Sequence, residues 1–295
     1  MVSLPPERRC RRRLRAALLA LFAALLWLAV IAPLPAAETP LRIGLTPVFL
    51  DDQLSLLRDW QADLQRETGH PVHFVQRTSY REISDLLARG EIDAAWICGA
   101  PYVRRQDQLK LLAVPVFNGE PRYRSYLIVP AEDEETQGWT DLRGKVFAYS
   151  DPDSNSGSLY PRTAMAERGL KPDALFRESF HAWGHRNVVE AVASGLAEAG
   201  AVDGYVWETL QRFEPELTER TRVVERSPAF GFPPVVVREN LDPALAERLR
   251  SALLSMDERP RGRELLQRLN LDAFTRGEPA LFREIALMAG TPVPP

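Results

Sequence analysis

Cysteine is all but missing from this chain. Only Cys10 and Cys98 occur in 295 residues. Cys10 lies in a segment that reads as a leader, so no disulfide can close within the exported part, and stability must come from an ordinary packed core. Histidine is almost as sparse, with four in all. His70 and His73 sit near a turn and a strand, His181 and His185 near a helix start, and neither pair has zinc-ligand spacing. There is no Gly-x-Ser-x-Gly elbow to hold a nucleophile and no P-loop to cradle a nucleotide. Internal repeats and low-complexity stretches are absent too. Neither a metal, a cofactor nor an enzymatic activity is expected.

Long apolar runs are also scarce. The single one, residues 16–32, follows a basic stretch of Arg8, Arg9, Arg11, Arg12, Arg13 and Arg15 and precedes small residues suited to cleavage at 33–37. Residues 1–37 therefore read as a secretory signal peptide. The run is borderline for a membrane span of ~20 residues, so an uncleaved anchor is the alternative; either way the rest of the chain is expected in the periplasm. Loss of residues 1–37 removes six arginines and Glu7, moving the net charge from -3 to -8. An acidic protein is a poor partner for nucleic acid or an anionic membrane. Any anion it binds must be held by local dipoles. The remaining 258 residues suffice for two lobes of ordinary size.

What is present is an alternation of strand and helix. Residues 41–45 read as a strand, and Asp51 or Asp52 as the cap of a helix with Leu54, Leu57, Trp60 and Leu64 on one face. A strand at 72–75, a helix from Ser79 to Leu87 stopped by Gly90, and a buried strand at 92–97 follow. The pattern restarts with strands at 126–129 and 146–149, a helix at 157–168, a helix opened by His185, and a short strand at 199–202. A strand at 233–238 leads into helices at 243–256 and 261–269. The fold class is α/β with largely parallel sheets. The most informative stretch is Phe147-Ala-Tyr-Ser-Asp-Pro-Asp-Ser-Asn-Ser-Gly-Ser-Leu-Tyr-Pro161. It reads as a strand running through a polar loop into a helix, with Ser154, Asn155 and Ser156 where first-turn N–H groups are unpaired. Such a terminus attracts anions, although the same residues also serve as ordinary N-caps.

Several segments together resemble the PhnD-like family of phosphate, phosphonate and phosphite periplasmic solute-binding proteins. They are Asp151-Pro-Asp-Ser-Asn-Ser-Gly157, Gly184-His-Arg-Asn-Val-Val-Glu-Ala-Val192 and Gly200-Ala-Val-Asp-Gly-Tyr-Val-Trp-Glu208, in that order. The resemblance runs from Leu41 to about Phe274. It implies a type II periplasmic-binding-protein fold, two α/β lobes with a hinge and an interlobe ligand cleft. Residues 38–124 would begin lobe one, 125–232 form lobe two, and 233–295 complete lobe one with C-terminal helices. It also implies that Tyr80, Tyr123, Ser154, Asn155, Ser156 and His185 contact a small anion, with Asp203 nearby. Starts of helices at Ser79-Tyr80, Ser154–Gly157 and His185 would converge on it.

Departures from the family pattern are informative. Aminophosphonate binders place acidic residues around the ligand amine; Tyr205 and Pro233 fall at those places, which argues against 2-aminoethylphosphonate. Asn155 stands where a threonine is usual. Trp96-Ile-Cys-Gly-Ala-Pro-Tyr-Val103 puts Cys98 just past a strand, either as a small buried hydrophobe or as a soft ligand in a pocket wall shared with Tyr102. Some PhnD-like sensors bind trivalent arsenic through a cysteine in a similar segment. The expected function is capture of a small oxyanion or phosphonate for an ABC-transporter permease by a monomeric protein. The alternative is a periplasmic sensor of an oxyanion, or of arsenite through Cys98, signalling to a membrane histidine kinase.

Overall fold

The computed structural model describes Ala17, residues 39–47 and residues 54–293. Apart from Ala17 the expected leader falls outside those residues, as does the Asp51/Asp52 cap. Among the described residues no helix is long and apolar enough to cross a membrane. Strand β1 (Leu41–Leu45) is flanked by parallel β2 (Val72–Gln76) and β3 (Ala94–Trp96). Leu41, Ile43 and Leu45 are buried, as are Leu56, Leu57, Trp60 and Leu64 on the helix Leu54–Thr68, the face that the 3–4 spacing predicts.

Beyond β4 (Leu109–Val116) the chain crosses through β5 (Arg122–Tyr123) into β6 (Ser125–Pro130). It then forms β7 (Val146–Tyr149), β8 (Glu178–His181), β9 (Ala199–Asp203) and β10 (Thr221–Arg226). It returns through β11 (Phe230–Gly231) to β12 (Val235–Arg238), and β13 (Ala273–Thr275) closes the first sheet. The sheets run β13-β4-β12-β3-β1-β2 and β10-β6-β9-β7-β8. Each has a central strand with parallel neighbours, and the strand delivered directly after a crossing, β12 or β6, runs antiparallel to them; β13 is antiparallel as well. This is the two-lobed arrangement of a type II binding-protein fold.

The crossings pair as a two-stranded ribbon, Tyr123 opposite Phe230. Around it Tyr123 and Phe232 meet at 5.8 Å, Tyr205 and Phe232 at 4.9 Å, and Phe117 and Tyr205 at 5.1 Å. Edge-to-face rings of this kind give the hinge apolar cohesion without a fixed polar register.

The strand expected over 233–238 starts only at Val235. Pro233 and Pro234 have no N–H for the ladder; their carbonyls instead accept from Trp96 Nε1 (2.8 Å) and Ile97 N (3.0 Å). Strands β8 and β10 escape the apolar pattern because both are sheet edges, with Glu178, Ser179 and Arg226 exposed.

Candidate functional site

The loop after β7 carries the candidate site. Asp151 Oδ1 accepts its own Asp153 N–H (2.7 Å), folding the loop so that the helix begins at once. The first turn is a π turn, Asn155–Leu159, before the α-helix Tyr160–Glu167. Ser154 Oγ caps it by accepting Gly157 N–H at 3.1 Å. Only glycine fits at 157, since a Cβ there would lie 1.8 Å from Ser150 Oγ. Ser154, Asn155 and Ser156 are all buried. The Ser156 carbonyl is held by Ser125 Oγ from β6 at 2.6 Å.

His185 opens its helix, His185–Ala193, with its ring buried against this turn. Its Nδ1 accepts Asp203 N–H at 3.0 Å, so the other ring nitrogen carries the proton; that Nε2 lies 3.4 Å from Ser154 Oγ. Burial depresses the imidazole pKa to about 3. His185 is a neutral donor, and the titration near neutrality that an exposed histidine would bring is removed.

Lobe one contributes three groups. The Tyr80 hydroxyl has Ser154 beside it, and its pKa is raised by burial and then by Cys98, Asp151 and Asp203. Tyr123, from the crossing strand, accepts from Asn155 Nδ2 at 2.9 Å and is raised for the same leading reason. Cys98 Sγ accepts Asn155 N–H at 3.2 Å. Burial pushes this thiol up to about 11. At neutral pH it is protonated, and it is engaged with the backbone of the Asn155 loop.

Seven of the expected residues thus meet in one place: Tyr80, Cys98, Tyr123, Ser154, Asn155, Ser156 and His185. Asp203 joins through its backbone N–H; its carboxylate is spent capping Tyr205 N (2.9 Å) at the start of the helix Gly204–Phe213. Burial raises Asp203 to about 8, so it carries a proton at neutral pH. Two expectations are corrected. The Tyr102 ring lies edge-on to Phe282 at 4.8 Å, because the helix Gly99–Arg104 turns it into the lobe-one core. The Tyr205 hydroxyl bonds the Leu269 carbonyl, because its ring belongs to the hinge stack. Trp207 is likewise core, its Nε1 donating to Thr221 Oγ1 at 3.0 Å, whereas Trp183 is half exposed with φ +61°.

The helix start at Tyr80 also differs from expectation. Its first N–H is taken by a carboxylate of the other lobe, Asp151 Oδ2, at 3.1 Å. Alongside, Asp153 pairs with Arg104 (2.9 Å) and Arg81 (3.3 Å). These interlobe bonds went unforeseen. Asp151 and Asp153 stood in the quoted motif, but no periodicity brings residues 49 to 72 positions apart together.

The charged groups acting on Tyr80, Tyr123, Cys98 and Asp203 are acidic ones. What converges here is therefore a set of neutral donors. Comparison with known proteins fits that chemistry. Residues 43–282 match the family described as ABC transporter, phosphonate, periplasmic substrate-binding protein. The chain belongs to that family. It is 29% identical over 159 residues to the phosphate-import protein PhnD of Mycolicibacterium smegmatis, covering 50% of each chain; it spans half the length of that relative. It is 23% identical over 255 residues to the phosphonates-binding periplasmic protein of Escherichia coli, covering 83% of this chain and 75% of the other. Among solved structures, PhnD1 of Prochlorococcus marinus in complex with methylphosphonate superimposes with a TM-score of 0.78 at 19% identity, over 85% of this chain and 97% of that one.

Proposed function

We propose that this protein captures a small tetrahedral oxyanion, a phosphonate, phosphite or phosphate, in the periplasm and delivers it to an ABC-transporter permease as a monomer. The cluster of Tyr80, Tyr123, Ser154, Asn155, Ser156 and His185 is the proposed contact surface, with no bond made or broken in the ligand. The observation that carries the reading is convergence: hydroxyl, amide and neutral imidazole groups from both lobes meet in one buried cluster beside a helix start. Donors of that kind solvate an anion by hydrogen bonding and dipole without a counter-cation. Family membership and relatives named for phosphate and phosphonates support the same ligand class.

The test is a thermal-shift and calorimetric screen of methylphosphonate, phosphite, phosphate and sulfate. A ligand at ~100-fold above its dissociation constant stabilises the fold by about 2.7 kcal/mol. If none of these anions shifts the melting temperature, the reading is wrong.

A further inference from the structure

The first turn of the site loop leaves one carbonyl without a helical donor. In the π register partners lie five residues apart: Leu159 N–H donates to the Ser154 carbonyl and Tyr160 N–H to that of Asn155. The Ser156 carbonyl would take its N–H from Pro161, which has none. Ser125 Oγ, at the start of β6, donates in its place at 2.6 Å. Ser125 is fixed in turn from the returning crossing. Its N–H donates to Ser227 Oγ at 2.8 Å, and that hydroxyl donates to the Pro228 carbonyl at 2.6 Å. An N–H only donates and a carbonyl only accepts, so each bond of this relay has one possible direction. Ser125, Ser156 and Ser227 are each 1% exposed.

Two observations tie this relay to the ligand as well as to the fold. Ser156, held at its carbonyl, keeps a buried hydroxyl with no hydrogen-bond partner. Ser125 also stands opposite Asp203 in the β6–β9 ladder, and Asp203 N–H holds the His185 ring through Nδ1. One rung of the sheet therefore supports both the serine and the imidazole of the cluster. We infer that Ser125 is a positioning residue for anion binding: braced by Ser227, it holds the Ser156 carbonyl so that the Ser156 hydroxyl meets the bound oxyanion, which Ser125 itself does not touch. This rests on the oxyanion reading above and deepens it.

A double-mutant cycle tests it, by titration calorimetry with whichever of methylphosphonate, phosphite and phosphate binds the wild type most tightly. Titrations are run well below the melting temperature of every variant. Ser156→Ala and Ser125→Ala should each lose about tenfold in affinity, the scale of one hydrogen bond to a charged group. Together they should again lose about tenfold rather than about a hundredfold, because Ser125 acts only through the hydroxyl already removed. With Tyr80→Phe, a proposed contact from the other lobe, the Ser125→Ala loss should multiply. A serine that only stabilised the fold would leave affinity alone, or weaken it alike in every background. Unchanged affinity in Ser125→Ala or Ser156→Ala, or losses that multiply between them, would overturn the inference and leave the oxyanion reading standing. So would losses that fail to multiply with Tyr80→Phe, or a Ser125→Ala loss far beyond that of Ser156→Ala, which would put Ser125 on the ligand itself. Failure of all three anions to bind the wild type would remove the oxyanion reading and this inference together. If Ser125→Ala does not fold, Ser227→Ala takes its place and must show the same non-additivity with Ser156→Ala.

Discussion

Asp153 offers a measurement of lobe closure that is independent of the ligand contacts. It bridges Arg81 and Arg104 across the cleft, with side-chain exposures of 70% for Arg81, 37% for Arg104 and 18% for the carboxylate. Pairs this exposed are screened by water and contribute about 0.2–1 kcal/mol each. Both are lost when the lobes separate, so together they favour the closed form by about 1 kcal/mol. Since 1.4 kcal/mol is tenfold, Asp153→Asn should weaken methylphosphonate binding about fivefold at low salt. The backbone N–H that Asp151 accepts is untouched by the change. In about 1 M salt, where the Debye length shrinks to about 3 Å, the ratio of wild type to variant should approach unity. That ratio also cancels any competition by chloride. The assay is titration calorimetry at two salt concentrations. No loss at low salt would mean that the bridge does not form in solution. A loss above about thirtyfold, or one unchanged in high salt, would mean that Asp153 acts on the ligand itself.

Ser154→Ala should cost about 1 kcal/mol of unliganded stability, because the hydroxyl caps Gly157 N–H. It should also cost affinity for methylphosphonate; denaturant melts and calorimetry on one preparation separate the two. Asp203, raised to about 8 by burial, keeps its proton in the folded state after the unfolded chain has lost it. Stability is then fully present below the ordinary carboxyl pKa and is lost as pH rises toward 8, by up to about 1.4 kcal/mol per unit between pH 6.5 and 8. Asp203→Asn should flatten melting temperature over that window, and a wild type already flat there would refute a protonated Asp203. Cys98→Ser should change stability by less than about 2 kcal/mol, and arsenite under reducing conditions should bind neither protein. Saturable arsenite binding lost in the variant would restore a sensor role.

Much of the fold was legible because its central strands and amphipathic helices carry the periodicities of burial. Leu41, Ile43 and Leu45, or Leu57, Trp60 and Leu64, need no context to be placed. The edges were not legible. Strand β10, with Arg222, Glu225 and Arg226, is polar because one face meets solvent, and its strand conformation is imposed by pairing with β6. At the site, the cap at Ser154 and the helix start at His185 were readable as local chemistry. Direction was not: Tyr102 and Tyr205 lie next to site residues in sequence, yet helix geometry turns their rings to Phe282 and to the hinge. The clasp of Asp151 and Asp153 on the Tyr80 helix start was invisible for the same reason, being a contact between lobes.

Charge explains why closure and recognition are coupled here. A site built on arginine would attract anions while open and would hold sulfate and phosphate nearly alike. This cluster carries neutral donors, a protonated Asp203 and a neutral His185 in a chain whose exported part is acidic, so long-range attraction is weak. Its hydrogen bonds strengthen only once water is excluded, and that requires lobe one to bring Tyr80 and Cys98 against the loop of lobe two. The carboxylates that might repel the ligand are instead engaged at the rim, Asp151 by a helix N–H and Asp153 by two arginines. The contact between the lobes therefore neutralises the rim carboxylates and buries the donors together. Affinity in such a site depends on the fit of hydrogen-bond donors and acceptors as much as on charge.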